Sequence, residues 1–255
     1  RNMFGTSAKV DYATSLGTLT SVTAYDRLNE LLTGDQFDFL PIRESVLNRF
    51  FGADQAQHQF LTVDAVSEEV HFASPAAKRV RWVVGAYAIA TDRFISTGNV
   101  FDLGTGVVPE VRRTPLPIFN PQFTFLADEQ NNFAWAAFGN VDVNLTDKLE
   151  LSTSLRYDRD DRENTTRTPA AFIPAPLVGV AFPGQVRKNT WDEWQPKVTL
   201  RHKPTKDSTV YAGYIRGFRS GGFNQTGVGA DRENTRGQMI HPFTVAPNLR
   251  EQALV

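Results

Sequence analysis

Alternation of apolar and polar residues is the strongest pattern in this chain, and it is clearest between positions 132 and 158. A period of two is typical of β-strands, because successive side chains point to opposite faces. Around a short polar turn, the pattern predicts a hairpin in which Val143 faces Leu151 and Ala137 faces Tyr157. Each arm is at least ten residues long. That length matches the roughly 9–11 residues of a membrane-crossing strand better than the roughly 5–6 of a globular one.

The same alternation recurs along the chain and predicts eight strands, with a ninth near 243–252. The predicted strands are 9–14, 19–27, 58–73, 80–95, 132–145, 149–158, 191–202 and 209–218. Short turns and long segments alternate between them without exception. Long loops are uncommon inside compact domains, whereas membrane barrels place short turns on one side and long loops on the other. The sequence therefore predicts an all-β fold, a segment of an antiparallel transmembrane β-barrel.

Single strands carry apolar residues on one face and charged residues on the other, as the strands of a membrane barrel do. In the strand 191–202, Trp194, Val198 and Leu200 share one face, and charged residues share the other. A charged face is unsuited to a protein core but suits a water-filled lumen. Pro196 has no backbone N–H and predicts a bulge or local break in its ladder. Aromatic residues near the long-loop ends of the strands predict a belt at the membrane surface: they are Trp135, Tyr157, Trp191 and Trp194.

Composition narrows the possible functions without identifying a site. The 255 residues are 41% apolar and 22% charged, with a net charge of −1 and no cysteine. The near-zero charge argues against a nucleic-acid partner, and the lack of cysteine excludes disulfides and thiolate metal sites. The uncharged window 168–186 contains four prolines, so it predicts an apolar loop and not a membrane helix. Because the chain begins with Arg1 and not with Met, we expect a piece of a longer protein.

Known catalytic and metal-binding motifs do not occur in the sequence. The four histidines are scattered without metal-ligand spacing, and there is no nucleophile elbow, phosphate loop or dinucleotide fingerprint. We therefore expect neither enzyme activity nor a cofactor. The charged run 158–164 contains ligand types that suit calcium, but its arginines favour the solvated shoulder of a loop. The apolar loop 170–182 is compatible with closure over a ligand, packing on another loop, contact with lipopolysaccharide, or a lack of fixed structure.

Several stretches together give the chain a family resemblance. They are 19–25 (LTSVTAY), 67–74 (SEEVHFAS), 82–87 (WVVGAY), 137–141 (AFGNV), 155–158 (LRYD), 194–200 (WQPKVTL) and 211–224, which ends in GFRSGGFN. In order and spacing they resemble the β-barrel of TonB-dependent outer-membrane receptors over most of the chain. The resemblance implies a barrel of about 22 strands around a plug domain. Residues 1–255 would supply eight or nine of those strands as one partial domain, with the plug absent.

The resemblance also implies a function. Such receptors lie in the outer membrane of Gram-negative bacteria, contact its lipid, and bind scarce extracellular ligands, most often siderophore–iron complexes. TonB energises them, and here its contact would belong to an N-terminal region missing from this chain. Two other interpretations stay open: a passive outer-membrane barrel such as a porin or adhesin translocator, and a soluble all-β binding module or enzyme.

The last predicted strand, 209–218, carries arginine, so its orientation matters. Pairing with the preceding strand through a turn at 203–208 predicts Tyr211 and Ile215 towards lipid. Tyr214 and Arg216 then face the lumen, where a charge costs little. At a lipid-facing midplane, arginine would cost roughly 2–4 kcal/mol.

The sequence after this strand is the candidate ligand path. Gly221-Gly222 is expected to end the strand at the outer rim, with positive backbone φ angles that glycine tolerates. The alternative to a ligand path is a rim turn that serves barrel assembly. The residues expected to line the path are Arg216, Arg219, Phe223 and Asn224.

Overall fold

The architecture is one continuous antiparallel sheet. The computed structural model of the protein describes residues 1–103, 112–115 and 122–227. Eight strands pair strictly in chain order, which confirms the all-β prediction, while the expected ninth strand near 243–252 lies outside the described residues. The strands are β1 (Asn2–Ala13), β2 (Thr18–Asp35), β3 (Asp54–Ala73), β4 (Val80–Asp102), β5 (Gln122–Asn144), β6 (Leu149–Thr166), β7 (Val186–His202) and β8 (Val210–Ile215).

Short and long connections lie at opposite ends of the sheet, as the alternation predicts. The lower end carries the short turns after β1, β3, β5 and β7, and the upper end carries the long connections. The first long connection contains a six-residue helix, α1 (Val46–Phe51). The Ser45 side chain accepts a hydrogen bond from Asn48 N at its start, and Gly52 ends it in the left-handed region (φ 69°).

The strands extend further at the upper end than the sequence pattern predicts. β4 and β5 each run for 23 residues, about twice the length that a bilayer crossing needs. Residues 96–102 and 122–131 are therefore strand, and the charged run 158–164 lies inside β6. The prediction of loops there was wrong. At these upper ends polar residues such as Ser96 and Asp128 are buried as well as the apolar Phe94 and Phe125, so the alternation that reveals a strand disappears.

An exposed apolar band covers one face of the sheet. Val84, Val141, Leu155 and Val198 lie on it, each between 40% and 54% exposed. We call this side the apolar face and the opposite side the polar face. The predicted hairpin register is confirmed, because Val143 lies opposite Leu151 and Ala137 opposite Tyr157. A continuous outward apolar band is the surface that contact with lipid requires.

Three aromatic rings form a row at the upper edge of this band. The ring centroids of Trp135 and Tyr157 lie 5.5 Å apart, and those of Tyr157 and Trp194 lie 4.9 Å apart. Just above, the Tyr157 hydroxyl donates to Asp192 over 3.0 Å, where the face becomes polar. These three residues lie on the apolar face, where the predicted belt requires them, whereas the prediction was wrong for Trp191. That ring lies on the polar face, because its position differs from Trp194 by an odd number.

The faces of β8 are reversed from the prediction. Tyr214 lies opposite Val198, which places it on the apolar face, and Tyr211 lies on the polar face. The cause is the turn: His202 pairs with Val210, so the connection is one residue longer than expected. A slip of one residue exchanges the two faces of a strand.

Pro196 ends the ladder between β7 and β8, as the sequence predicts. The backbone N–H of Arg216 donates to the Pro196 carbonyl over 3.0 Å, but proline has no N–H with which to return the bond. β8 therefore ends at Ile215 and not at position 218. Released from the ladder, the chain turns onto the polar face.

A small apolar cluster packs on the upper end of the sheet. Phe60, Phe94 and Phe125 are buried in it, and Phe172 of the apolar loop packs edge-on against Phe125 with centroids 6.1 Å apart. The loop thus packs on the sheet at its start, in two short 3₁₀ turns, whereas Phe182 is 55% exposed. Among the described residues, no helix has the length and apolar character to cross a membrane.

Candidate ligand site on the polar face

Residues 216–227 run across the upper part of the polar face, and we call them the crossing segment. The segment starts on β7, where Arg216 forms an ion pair with Glu193 over 2.5 Å. Two residues further, the backbone N–H of Phe218 donates to the Gln195 side chain over 3.1 Å. Arg216 therefore faces the polar side, as expected, but it does so because the ladder has ended and not by strand alternation.

Further contacts carry the crossing segment over three more strands. Arg162 of β6 donates to the Ser220 hydroxyl over 2.6 Å. Gln225 donates to the carbonyl of Leu126 on β5 over 2.9 Å and to that of Ile95 on β4 over 3.2 Å. The segment thus spans the width from β7 to β4 and covers the polar face there.

The double glycine allows the chain to approach an aromatic ring. A Cβ on Gly221 would lie 2.6–2.7 Å from atoms of the Trp191 ring, which is too close for any side chain. Neither Gly221 nor Gly222 has a positive φ angle, so the predicted conformational role was wrong and close approach replaces it. Phe223 then packs edge-on against Trp191, with centroids 6.0 Å apart.

A buried carboxylate, Asp128 of β5, anchors the far end of the segment. It accepts hydrogen bonds from the Asn164 amide (2.8 Å), Arg187 (3.0 Å) and the backbone N–H of Thr226 (2.9 Å). Burial raises the pKa of Asp128, while the hydrogen bonds from Asn164 and Thr226 oppose that rise. Sequence reasoning missed this anchor, since 98 residues separate Asp128 from Thr226.

The four residues of the expected ligand path have different environments. The Phe223 ring lies 5.7 Å from the Arg187 guanidinium, and Asn224 accepts a hydrogen bond from Arg187 at its carbonyl over 3.1 Å. Arg216 is held by Glu193, while Arg219 is exposed and forms no ion pair with a described residue. The structure brings the four together along one segment of the polar face. That they line a ligand path stays a prediction.

Beside the crossing segment lies a group of hydrogen-bond donors that sequence reasoning also missed. Thr91 lies opposite Asn132, which in turn lies opposite Arg162, so the three form a row across β4, β5 and β6. Arg93 stands two residues above Thr91 on the same face and donates to Gln130 over 3.2 Å. We call Thr91, Arg93, Asn132 and Arg162 the donor cluster. Strand parity was the available signal for it.

The charged run 158–164 is internally neutralised. Arg162 donates to Asp160 from Nε and Nη2, over 2.8 and 2.6 Å. On the other face, Arg159 forms an ion pair with Asp161 over 3.2 Å. The carboxylates thus point to opposite faces and are occupied by guanidinium groups, which argues against the calcium interpretation.

Among the described residues, one cluster of carboxylates has the spacing of a metal site. Ligand atoms of Asp35, Asp38 and Asp54 lie within 4.8 Å of one another at the upper ends of β2 and β3. Backbone amides already use some of these oxygens, since Asp38 accepts from Leu40 N and Val46 N.

The fold and its two faces define a segment of a transmembrane β-barrel with a lipid-facing and a lumenal side. A family model described as "TonB dependent receptor-like, beta-barrel" matches residues 2–252. The chain therefore belongs to this family of outer-membrane receptors. The apolar face is the lipid side of the barrel wall, and the polar face is the lumenal side.

Solved structures share the fold at low sequence identity. The ferric yersiniabactin uptake receptor FyuA from Yersinia pestis aligns with a TM-score of 0.59 at 14% identity, over 83% of this chain and 27% of that one. The siderophore receptor PiuA from Acinetobacter baumannii gives 0.59 at 14%, over 84% and 32%. The unliganded ferric citrate transporter FecA gives 0.53 at 9%, over 84% and 27%. The chain thus spans about a third or less of these proteins.

Proposed function

We propose that this chain is part of a TonB-energised outer-membrane receptor that takes up a scarce ligand, namely a siderophore–iron complex. Family membership over residues 2–252 supports the receptor class. The similar solved structures are a ferric yersiniabactin uptake receptor, a siderophore receptor and a ferric citrate transporter. In this proposal the host is a Gram-negative bacterium, residues 1–255 are one partial barrel domain, and the TonB contact belongs to the N-terminal part of the full-length receptor.

The crossing segment is the observation that carries the proposal. It lies over four strands on the lumenal side and is held there by the buried Asp128–Arg187 pair. A receptor needs ordered groups facing its ligand, and an anchored segment on the lumenal side supplies them. Exposed Arg219 and the partly exposed Phe223 are the groups that this segment offers to a ligand.

Growth under iron limitation tests this function. Deletion of the gene is expected to abolish growth on one siderophore–iron complex from a panel, and complementation is expected to restore it. Deletion of tonB in the same strain must abolish that growth as well. Uptake that continues without TonB and rises linearly with concentration would establish the passive barrel instead.

A further inference from the structure

The donor cluster carries more positive charge than the protein neutralises. Arg93 donates one hydrogen bond, to the Gln130 amide, and forms no ion pair with any described carboxylate. Its pairing partners and same-face neighbours are Val63, Gln130, Thr91 and Ile95, none of them acidic. A half-buried guanidinium without a carboxylate is unusual, because buried cations are normally paired.

A second guanidinium faces the same place. β4 and β6 are separated only by β5, or about 10 Å at the usual strand spacing, and long arginine side chains reach across that distance. The pKa of Arg93 is lowered, first by burial and then by the positive charge of Arg162. Asp160 holds Nε and Nη2 of Arg162, while Nη1 lies beside Gly222, whose missing Cβ would be 3.7 Å away.

Uncharged donors complete the group. The Thr91 hydroxyl and the Asn132 amide are half-buried, and neither side chain makes a hydrogen bond to another described residue. The cluster therefore combines Arg162, which Asp160 already pairs, with Arg93, which bonds only the Gln130 amide. The hydroxyl and the amide have no acceptor among the described residues. Guanidinium forks match the paired oxygens of carboxylates and phosphates, and a catecholate likewise presents two adjacent anionic oxygens.

We infer that the donor cluster binds the oxyanion groups of an anionic ligand, so that the receptor selects negatively charged iron chelates over neutral ones. The inference rests on the proposed function and specifies the charge of its ligand. An oxyanion between Arg93 and Arg162 would relieve their repulsion and satisfy the Thr91 and Asn132 donors. Trp191 lies 5.9 Å from the Arg162 guanidinium, so binding is expected to change its fluorescence.

Binding to the full-length receptor in detergent tests this. The probes are citrate–iron and a tris-catecholate iron complex, both anionic, and a neutral tris-hydroxamate iron complex. We expect saturable binding of at least one anionic probe and more than tenfold weaker binding of the neutral probe. The Arg93→Gln variant is expected to weaken the anionic probe about tenfold or more, and Arg93→Lys to weaken it less.

Lys188→Gln is the matched control. It removes the same charge at a similar height but on the apolar face, where Lys188 pairs with Glu163 over 2.6 Å. We expect it to change the affinity less than twofold. If Arg93→Gln does not fold, Arg93→Lys and the loss of affinity with added salt provide the readout. Equal binding of the neutral probe, or an equal effect of Lys188→Gln, would overturn the inference. Binding of no iron complex would overturn the proposed function itself.

Discussion

Arg187 and Asp128 meet although a whole strand lies between them. Nη2 of Arg187 on β7 donates to Oδ2 of Asp128 on β5 over 3.0 Å, and their side chains are only 7% and 0% exposed. The intervening β6 allows this approach because it presents the short side chains of Asn164 and Thr166, which join the network. Since Asp128 also accepts the backbone N–H of Thr226, the pair ties the crossing segment to the sheet.

Breaking this pair is expected to destabilise the barrel strongly. Asp128→Ala leaves the buried Arg187 without a counter-charge, and the loss of a single partner costs about 3–5 kcal/mol. The double variant Asp128→Leu with Arg187→Met removes both charges and is expected to be closer to wild type. Denaturant unfolding of the full-length receptor measures both. A single variant within about 0.5 kcal/mol of wild type would show that the pair contributes little.

The close approach at Gly221 predicts a sharp difference between two glycines. Gly221→Ala places a methyl group against the Trp191 ring, whereas a Cβ on Gly217 meets nothing within 4 Å. Overpacking of this kind costs about 1–3 kcal/mol, so we expect faster proteolysis within residues 216–227 for Gly221→Ala only. Combining it with Trp191→Leu is expected to restore protection. Equal cleavage of the two alanine variants would exclude the packed arrangement.

His58 predicts a loss of stability in acid. Its side chain is fully buried on β3, and burial lowers its pKa from 6.5 to about 4. Below pH 6.5 the His58 imidazole binds a proton in the unfolded chain, whereas in the folded chain it stays neutral down to about pH 4. The free energy of unfolding therefore falls as the pH falls through this window. At about 1.4 kcal/mol per unit, the contribution is roughly 2 kcal/mol at pH 5.

Thermal unfolding of the receptor at pH 7.5 and pH 5 measures this dependence. His58→Gln is expected to flatten it, whatever its effect on stability at pH 7.5. His202→Gln, which changes an exposed histidine, serves as the control and should leave it unchanged. The same acid sensitivity in His58→Gln as in wild type would assign the effect to other groups.

The two faces of β7 predict opposite responses to a charge. Val198→Arg places a cation in the apolar band, where a lipid-facing charge costs about 2–4 kcal/mol. Thr199→Arg places it on the polar face, beside Lys197 and Arg201, and is expected to change the yield of folded receptor little. The yield of heat-modifiable, folded receptor in lipid vesicles compares the two. Equal yields would argue against a lipid-facing band.

Alternation alone predicted the strands where one face meets lipid and the other water. The Val143–Leu151 and Ala137–Tyr157 pairs follow directly from it. It failed at the upper ends of β4 and β5, since polar residues such as Ser96 and Asp128 are buried there as well as Phe94 and Phe125, and no regular pattern results. It also failed for β8, because the exact length of a polar turn decides which face each side chain joins.

The candidate site was less predictable than the fold. Arginine and aromatic residues drew attention to the crossing segment, and Pro196 correctly indicated where the ladder ends. The sequence did not predict which residues the segment contacts, because they are distant in the chain: Gln225 bonds the Ile95 carbonyl across 130 positions. Contacts of that range follow from strand register across the whole sheet, which a local pattern does not encode.

The central claim is that one face of this sheet contacts lipid and the other lines the lumen. This chain has no cysteine. Single-cysteine spin labels can therefore be placed at Leu155, Ser154, Tyr214 and Tyr211 in the full-length receptor in lipid vesicles, with any cysteine outside this chain replaced by serine. We predict high accessibility to oxygen and low accessibility to a water-soluble nickel complex at 155 and 214. We predict the reverse at 154 and 211. Water accessibility at all four positions, or reversed values for the β8 pair, would contradict the account.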